Sequence, residues 1–109
     1  MGKTKNGAVI MKNAVVFISY NLKKGVSEDE FLQATQQLES QEVKHKKGYI
    51  SWNQLKSEDI WVDLLTFETM EDARAFEKND TPSELAMTFY SFIDFNTVKS
   101  RFYTIEKKY

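Results

Sequence analysis

The stretch Ile60-Trp61-Val62-Asp63-Leu64-Leu65-Thr66-Phe67-Glu68-Thr69-Met70-Glu71-Asp72-Ala73 changes its hydrophobic pattern halfway along. Up to Phe67 it is rich in branched and aromatic residues, the composition of a strand. Thr69 then offers a hydroxyl to a free N–H of a first helical turn. Glu71 and Asp72 follow where a carboxylate complements the positive end of the helix dipole. Ala73 and Phe76 continue an inward face. The segment predicts a strand running straight into a capped helix. Side chains in a strand alternate between faces. Trp61, Asp63, Leu65 and Phe67 therefore share one side, and Ile60, Val62, Leu64 and Thr66 the other. Both sides are largely apolar.

Upstream, Tyr49 to Lys56 reads as a strand joined through Ser57-Glu58-Asp59 to form a hairpin. Ala14 to Leu22 is another strand, rich in β-branched and aromatic residues and ended by Lys23-Lys24-Gly25. Ser27 with Glu30 three residues on forms a capping box. The helix it opens is expected to run to about Lys47, burying Phe31, Ala34, Thr35 and Leu38. Lys44, His45, Lys46 and Lys47 supply cations at its end, and Gly48 stops it. Downstream, Thr81-Pro82 restarts the second helix with proline at the first helical position. Leu85, Phe89, Phe92 and Ile93 extend that helix's apolar side. After Asp94 to Val98, Ser100 to Lys107 alternates as a last strand. The order strand, helix, strand, strand, helix, strand predicts an α+β fold, the ferredoxin-like βαββαβ plait with an antiparallel sheet. Residues 14–109 form one expected domain. Residues 1–13, polar and aperiodic, are the expected flexible N-terminal extension.

Composition narrows the function classes. Of 109 residues, 41% are hydrophobic and 28% charged, as in an ordinary globular domain rather than a disordered chain. There is no cysteine, which removes thiolate metal sites, iron–sulfur clusters and Cys nucleophiles. The one histidine, His45, rules out a multi-His metal centre within one chain. No metal and no cofactor are expected. A net charge of -1 argues against a nucleic-acid binder. No apolar run reaches the roughly 18 residues of a membrane span, and the start lacks a signal-peptide pattern, so a cytoplasmic protein is expected. Gly2-Lys3-Thr4 lacks the rest of a phosphate-binding loop. Asn79-Asp80-Thr81 matches a glycosylation triplet with no sign of secretion. Neither a Ser-His-Asp arrangement nor a dinucleotide-binding loop can be assembled.

Two helices cover one face of a plait. The strand Ala14 to Leu22 carries Val16, Ile18, Tyr20 and Leu22 on one side and Val15, Phe17, Ser19 and Asn21 on the other. With both sides of two strands substantially apolar, an uncovered face would exceed the patch that monomers usually expose. A second copy packed sheet to sheet about a two-fold axis is the simplest cover, so a homodimer is expected.

Gly25-Val26-Ser27-Glu28-Asp29-Glu30-Phe31 resembles the strand-to-helix corner of the dimeric α/β-barrel proteins of the antibiotic-biosynthesis-monooxygenase-like group, in its uncharacterised branch. The stretch from Trp61 to Ala73 is similar in the same way, as is the turn Phe92-Ile93-Asp94. The resemblance covers roughly Ala14 to Ile105. It implies a ferredoxin-like protomer, two of which form a dimeric α/β barrel, with a cavity between sheet and helices in each. It also implies a choice among cofactor-free monooxygenases acting on polycyclic phenols or quinols, haem-degrading enzymes, isomerases and proteins without a known reaction. The haem-degrading branch takes an iron-ligating histidine from the second helical region. Here Met70 to Ile93 contains none, and Phe67 stands where that branch has a tryptophan.

Asp63 is the sharpest candidate. A mid-strand carboxylate is costly unless it is paired or faces a wet cavity. Apolar surroundings raise its pKa and suit it to proton transfer, whereas a partner such as Arg101 or Tyr103 would make it structural. His45 is the one side chain that ordinarily titrates near neutrality. It is a second candidate base, set against a solvated role at a helix end. Tyr20, Trp61, Phe67, Phe89 and Phe92 could line a slot for a flat ligand, or simply form core. Trp52, beside Asn53 and Gln54 on an expected edge strand, could instead serve the dimer interface, where tryptophan is enriched. Three readings follow: a monooxygenase-like enzyme acting on a small aromatic substrate, a non-catalytic small-molecule-binding or stress-related accessory protein, and a dimeric interaction module. The first requires a base facing an open cavity.

Overall fold

A computed structural model describes residues 11–78 and 80–109. Residues 1–10, most of the expected extension, lie outside the described residues. So does Asn79 of the glycosylation-like triplet. The element order is β1 (Ala14–Leu22), α1 (Glu28–Gln41), β2 (Tyr49–Ser57), β3 (Ile60–Phe67), α2 (Met70–Glu77), α3 (Glu84–Tyr90) and β4 (Ile93–Thr104). The strands form one antiparallel sheet in the order β2-β3-β1-β4, with the helices on one face. This is the expected ferredoxin-like plait, its second helical segment split in two. Just ahead of β1, the Asn13 carbonyl accepts the Ile105 N–H at 2.8 Å.

The caps fall where the sequence puts them. The Ser27 hydroxyl accepts the Glu30 N–H at 3.2 Å and the Thr69 hydroxyl accepts the Asp72 N–H at 3.1 Å. Three boundaries differ from expectation. Helix α1 ends at Gln41 rather than near Lys47. Glu42 leaves helical geometry, and a 3-10 turn over Val43–His45 follows, which places Val43 in the core. Pro82 precedes α3 rather than opening it, because Ser83 is the cap and accepts the Ala86 N–H at 3.1 Å. Strand β4 begins at Ile93 rather than Ser100. Leu22 pairs with Ile93 and Asn21 with Asp94, but Ser19 already pairs with Lys99. The extra β4 residues form a bulge held by Thr97, whose hydroxyl accepts the Asn21 N–H at 2.8 Å. A bulge interrupts strict alternation, which hides the strand from a period-two reading.

The core lies between the sheet and the helices. Phe31 is its centre, wholly buried, with the rings of Trp61 and Phe89 at 5.2 Å, Phe92 at 5.7 Å and Tyr20 at 6.1 Å. On the opposite sheet face, Phe17 pairs with Leu64 and its ring meets Tyr103 edge-on at 6.2 Å. Leu55, Ile60 and Tyr103 are about half exposed there.

Gly48 links the 3-10 turn to β2 at φ 78°, a left-handed conformation that costs a non-glycine residue roughly 1–2 kcal/mol. A Cβ there would also run into the side chain of the buried Asp72. Gly48→Ala is expected to lower the melting temperature by several degrees, and a thermal melt checks this.

Candidate functional site

Strand period places Asp63 on the helix-facing side of β3, between Trp61 and Leu65, and it is only 2% exposed. Its partner is neither Arg101 nor Tyr103, which belong to the opposite face through their pairing with Phe17 and Val15. Tyr20, on the neighbouring β1, donates its hydroxyl to Asp63 Oδ1 at 3.0 Å. Burial pushes the Asp63 carboxyl up to about 6, against smaller opposing effects from Trp52, Tyr20 and Gln54, which favour the anion. The Tyr20 hydroxyl is itself driven well above its ordinary value, first by burial and then by the adjacent carboxylate. Tyr20 therefore stays protonated and stays a donor.

Asp63 lies on the wall of a cavity of about 110 Å³ between the sheet and the helices. Ile18, Leu38, Leu65 and Phe89 give it an apolar lining, and Trp52 stands on the β2 side. Glu77 and Tyr90, both exposed, border it from α2 and α3. Partial burial raises the Glu77 carboxyl. It also raises the Tyr90 hydroxyl, with the carboxylates of Glu77 and Glu42 adding to the effect. Apolar cavities of roughly 150 Å³ take up benzene, so this space is on the scale of one small ring. A carboxylate held mostly protonated below pH 6 and ionised above it, in an apolar pocket, can take a proton from a weak acid near neutrality.

The sequence-selected residues separate into groups. Asp63 and Phe89 meet at the cavity, and Tyr20 stands behind Asp63 as its hydrogen-bond donor. Trp61, Phe67 and Phe92 are not among the residues lining it. Trp61 packs edge-on against Phe31, and Phe67 against Phe76 at 5.2 Å. Phe92 packs against Phe31 at 5.7 Å. His45 is exposed on the 3-10 turn and does not line the cavity, although the adjacent Lys46 does.

Trp52 is on an edge strand as expected, but its side chain is on the helix-facing side of the sheet, away from the outer face. It pairs with Leu65, and Gln54 with Asp63, so both side chains lie on the helix-facing side. The Trp52 ring meets Phe89 edge-on at 5.6 Å. Gln54 donates to the Thr35 hydroxyl at 3.1 Å, and Thr35 in turn bonds the Phe31 carbonyl at 2.9 Å. The signal for this cluster was the β2–β3 register. That register runs unbroken from the turn at Glu58 and Asp59, where Ser57 pairs with Ile60, out to Ser51, and the irregularity lies beyond it, between Tyr49 and Ser51. Among the described residues no group of three or more His, Cys, Asp or Glu side chains could hold a metal ion. No described helix is long and apolar enough to cross a membrane.

No protein-family model and no curated protein matches the sequence. Solved structures do. SnoaB, a cofactor-independent oxygenase from Streptomyces nogalater, superposes with a TM-score of 0.68 at 9% identity over 89% of this chain and 96% of its own. A candidate antibiotic biosynthesis monooxygenase from Nitrosomonas europaea gives 0.65 at 16% identity, over 91% and 95% of the two chains. A conserved protein from Methanosarcina mazei gives 0.66 at 16% identity, over 85% and 92%. At these identities the likeness is one of fold: the chain has the ferredoxin-like α+β fold of the antibiotic-biosynthesis-monooxygenase-like structures.

Proposed function

We propose that this protein is a cofactor-free, monooxygenase-like enzyme acting on a small aromatic substrate, with Asp63 as the base. The observation that carries the reading is the buried carboxylate, raised to about 6, on the wall of a small aromatic-edged cavity. The substrate is an aromatic compound with an acidic CH2 group. Asp63 takes one proton, and the apolar pocket keeps the resulting anion short of water and reactive. The anion supplies both electrons to dioxygen. A carbon–oxygen bond forms, and the hydroperoxide that results after protonation loses water. One oxygen atom stays as a carbonyl and the other leaves in water with both hydrogens of the CH2 group. The proton held by Asp63 returns in that step. The fold shared with a cofactor-independent oxygenase supports this choice of chemistry.

An oxygen electrode with a panel of small aromatic ketones that carry an acidic CH2 group next to the ring tests it. Substrate-dependent oxygen uptake that disappears in Asp63→Asn is the expected result. Cavity binding without any uptake would replace the reading with the non-catalytic binder.

The same reading includes a homodimer through the outer sheet face, where Phe17, Leu64, Tyr103 and Ile60 form an apolar surface. Light scattering at micromolar concentration is expected to give twice the chain mass. Leu64→Glu places a charge opposite Phe17 and is expected to give a monomer. A wild-type monomer would remove the dimer from the proposal.

A further inference from the structure

Trp52 Nε1 is buried and, among the described residues, has no hydrogen-bond acceptor. An unpaired buried N–H costs roughly 1–3 kcal/mol, and native structures keep few of them without a reason. The indole lies on the cavity wall that also carries Asp63. The two residues are diagonal neighbours across the β2–β3 ladder, since Trp52 pairs with Leu65 and Asp63 with Gln54. Aromatic side chains reach across such a diagonal. The indole N–H is near enough to favour the Asp63 anion but forms no direct bond with it. The other polar groups on the sheet side of the cavity are engaged. Tyr20 donates to Asp63, and Gln54 donates to Thr35. On that side what is left without a full partner is one donor, Trp52 Nε1–H, beside a carboxylate with acceptor capacity to spare, while Glu42, Lys46, Glu77 and Tyr90 line the cavity from the helix side.

We propose that Trp52 is a ligand-binding residue whose indole N–H, together with the Asp63 carboxylate, grips a single hydroxyl oxygen of the ligand. A hydroxyl satisfies both groups through one atom, accepting from the indole and donating to the carboxylate. An ether or ketone oxygen can accept but cannot donate, and an ammonium group can donate but cannot accept. The edge-to-face contact with Phe89 fixes the indole plane, so the donor is positioned before the ligand arrives. The proposal rests on the reading of this cavity as a small-aromatic site and adds which atom the site selects.

Phenol and toluene are the probes: they share a shape and differ by the hydroxyl. Binding to the purified protein at pH 7 is followed by calorimetry and by the indole N–H resonances. The chain has two tryptophans, so Trp52→Phe assigns the Trp52 signal by its loss. Phenol is expected to bind at least tenfold more tightly than toluene and to move the Trp52 indole resonance downfield, with toluene leaving it near its free position. In Trp52→Phe the phenol preference is expected to fall to threefold or less while toluene affinity is kept. Equal binding of phenol and toluene by the wild type would overturn the proposal and leave the cavity reading intact. So would a Trp52 resonance that phenol does not move. Failure of both probes to bind would overturn the cavity reading itself, and the proposal with it.

Discussion

Asp63→Asn is expected to lower oxygen-dependent turnover by about 10²- to 10⁴-fold, the usual contribution of a positioned base, while making the protein more stable at neutral pH. The two effects have one cause. Burial holds the Asp63 carboxyl at about 6, against an ordinary value of 3.8. The folded state therefore binds the proton more tightly than the unfolded state. Stability is full below about pH 4 and falls as the pH rises through 6, because folding then encloses a charge. A shift of this size corresponds to roughly 3 kcal/mol at pH 7. Asparagine carries no charge, and its carbonyl can still accept the Tyr20 hydroxyl. The melting temperature of the variant should exceed that of the wild type by several degrees at pH 7, and the gap should close by pH 4. For the wild type, kcat/KM should climb about tenfold per pH unit below 6 and level off above it, since the ionised form is the base. Unchanged turnover in the variant would make Asp63 structural. A loss of stability at pH 7 would show that the buried charge is better compensated than its surroundings imply.

Phe31→Ala is expected to cost about 3–5 kcal/mol, the range for deleting a buried aromatic ring. Phe31 is wholly buried and meets four other rings, from β1, β3, α3 and the turn into β4. Its removal leaves a void that no single element can close. Domains of this size are stable by about 5–15 kcal/mol, so the loss takes a large share of the total. Leu32→Ala, one residue along on the exposed side of α1 at 43% exposure, should change stability by about 0.5 kcal/mol or less. Chemical denaturation of the two variants checks the contrast. Similar midpoints would show that the core is not organised around Phe31.

Much of the fold was legible because its signals are local. The boundaries of β1 and of the β2–β3 hairpin follow from branched and aromatic runs broken by turn residues. The starts of α1 and α2 follow from hydroxyl caps with acidic first turns, and the structure shows both caps bonded. The end of α1 and the start of β4 were not legible. The first depends on Val43 turning into the core, and the second on a bulge at Thr97 that suspends the alternation.

The candidate site divides in the same way. The placement of Asp63 among apolar neighbours on one side of β3 is a matter of period, and the sequence by itself determined it. What faces Asp63 is a matter of register and packing. Only the tertiary structure decided that Tyr20 rather than Arg101 or Tyr103 bonds it. The structure likewise put Trp52 and Gln54 beside it, and set Trp61, Phe67 and Phe92 against other rings instead of the cavity. The physical reason is the range of the interactions. Backbone period and capping act within a few residues, so they are written along the chain. Which side chains share a cavity depends on how strands slide past one another and on which helix lies across them, and distant parts of the chain settle that together.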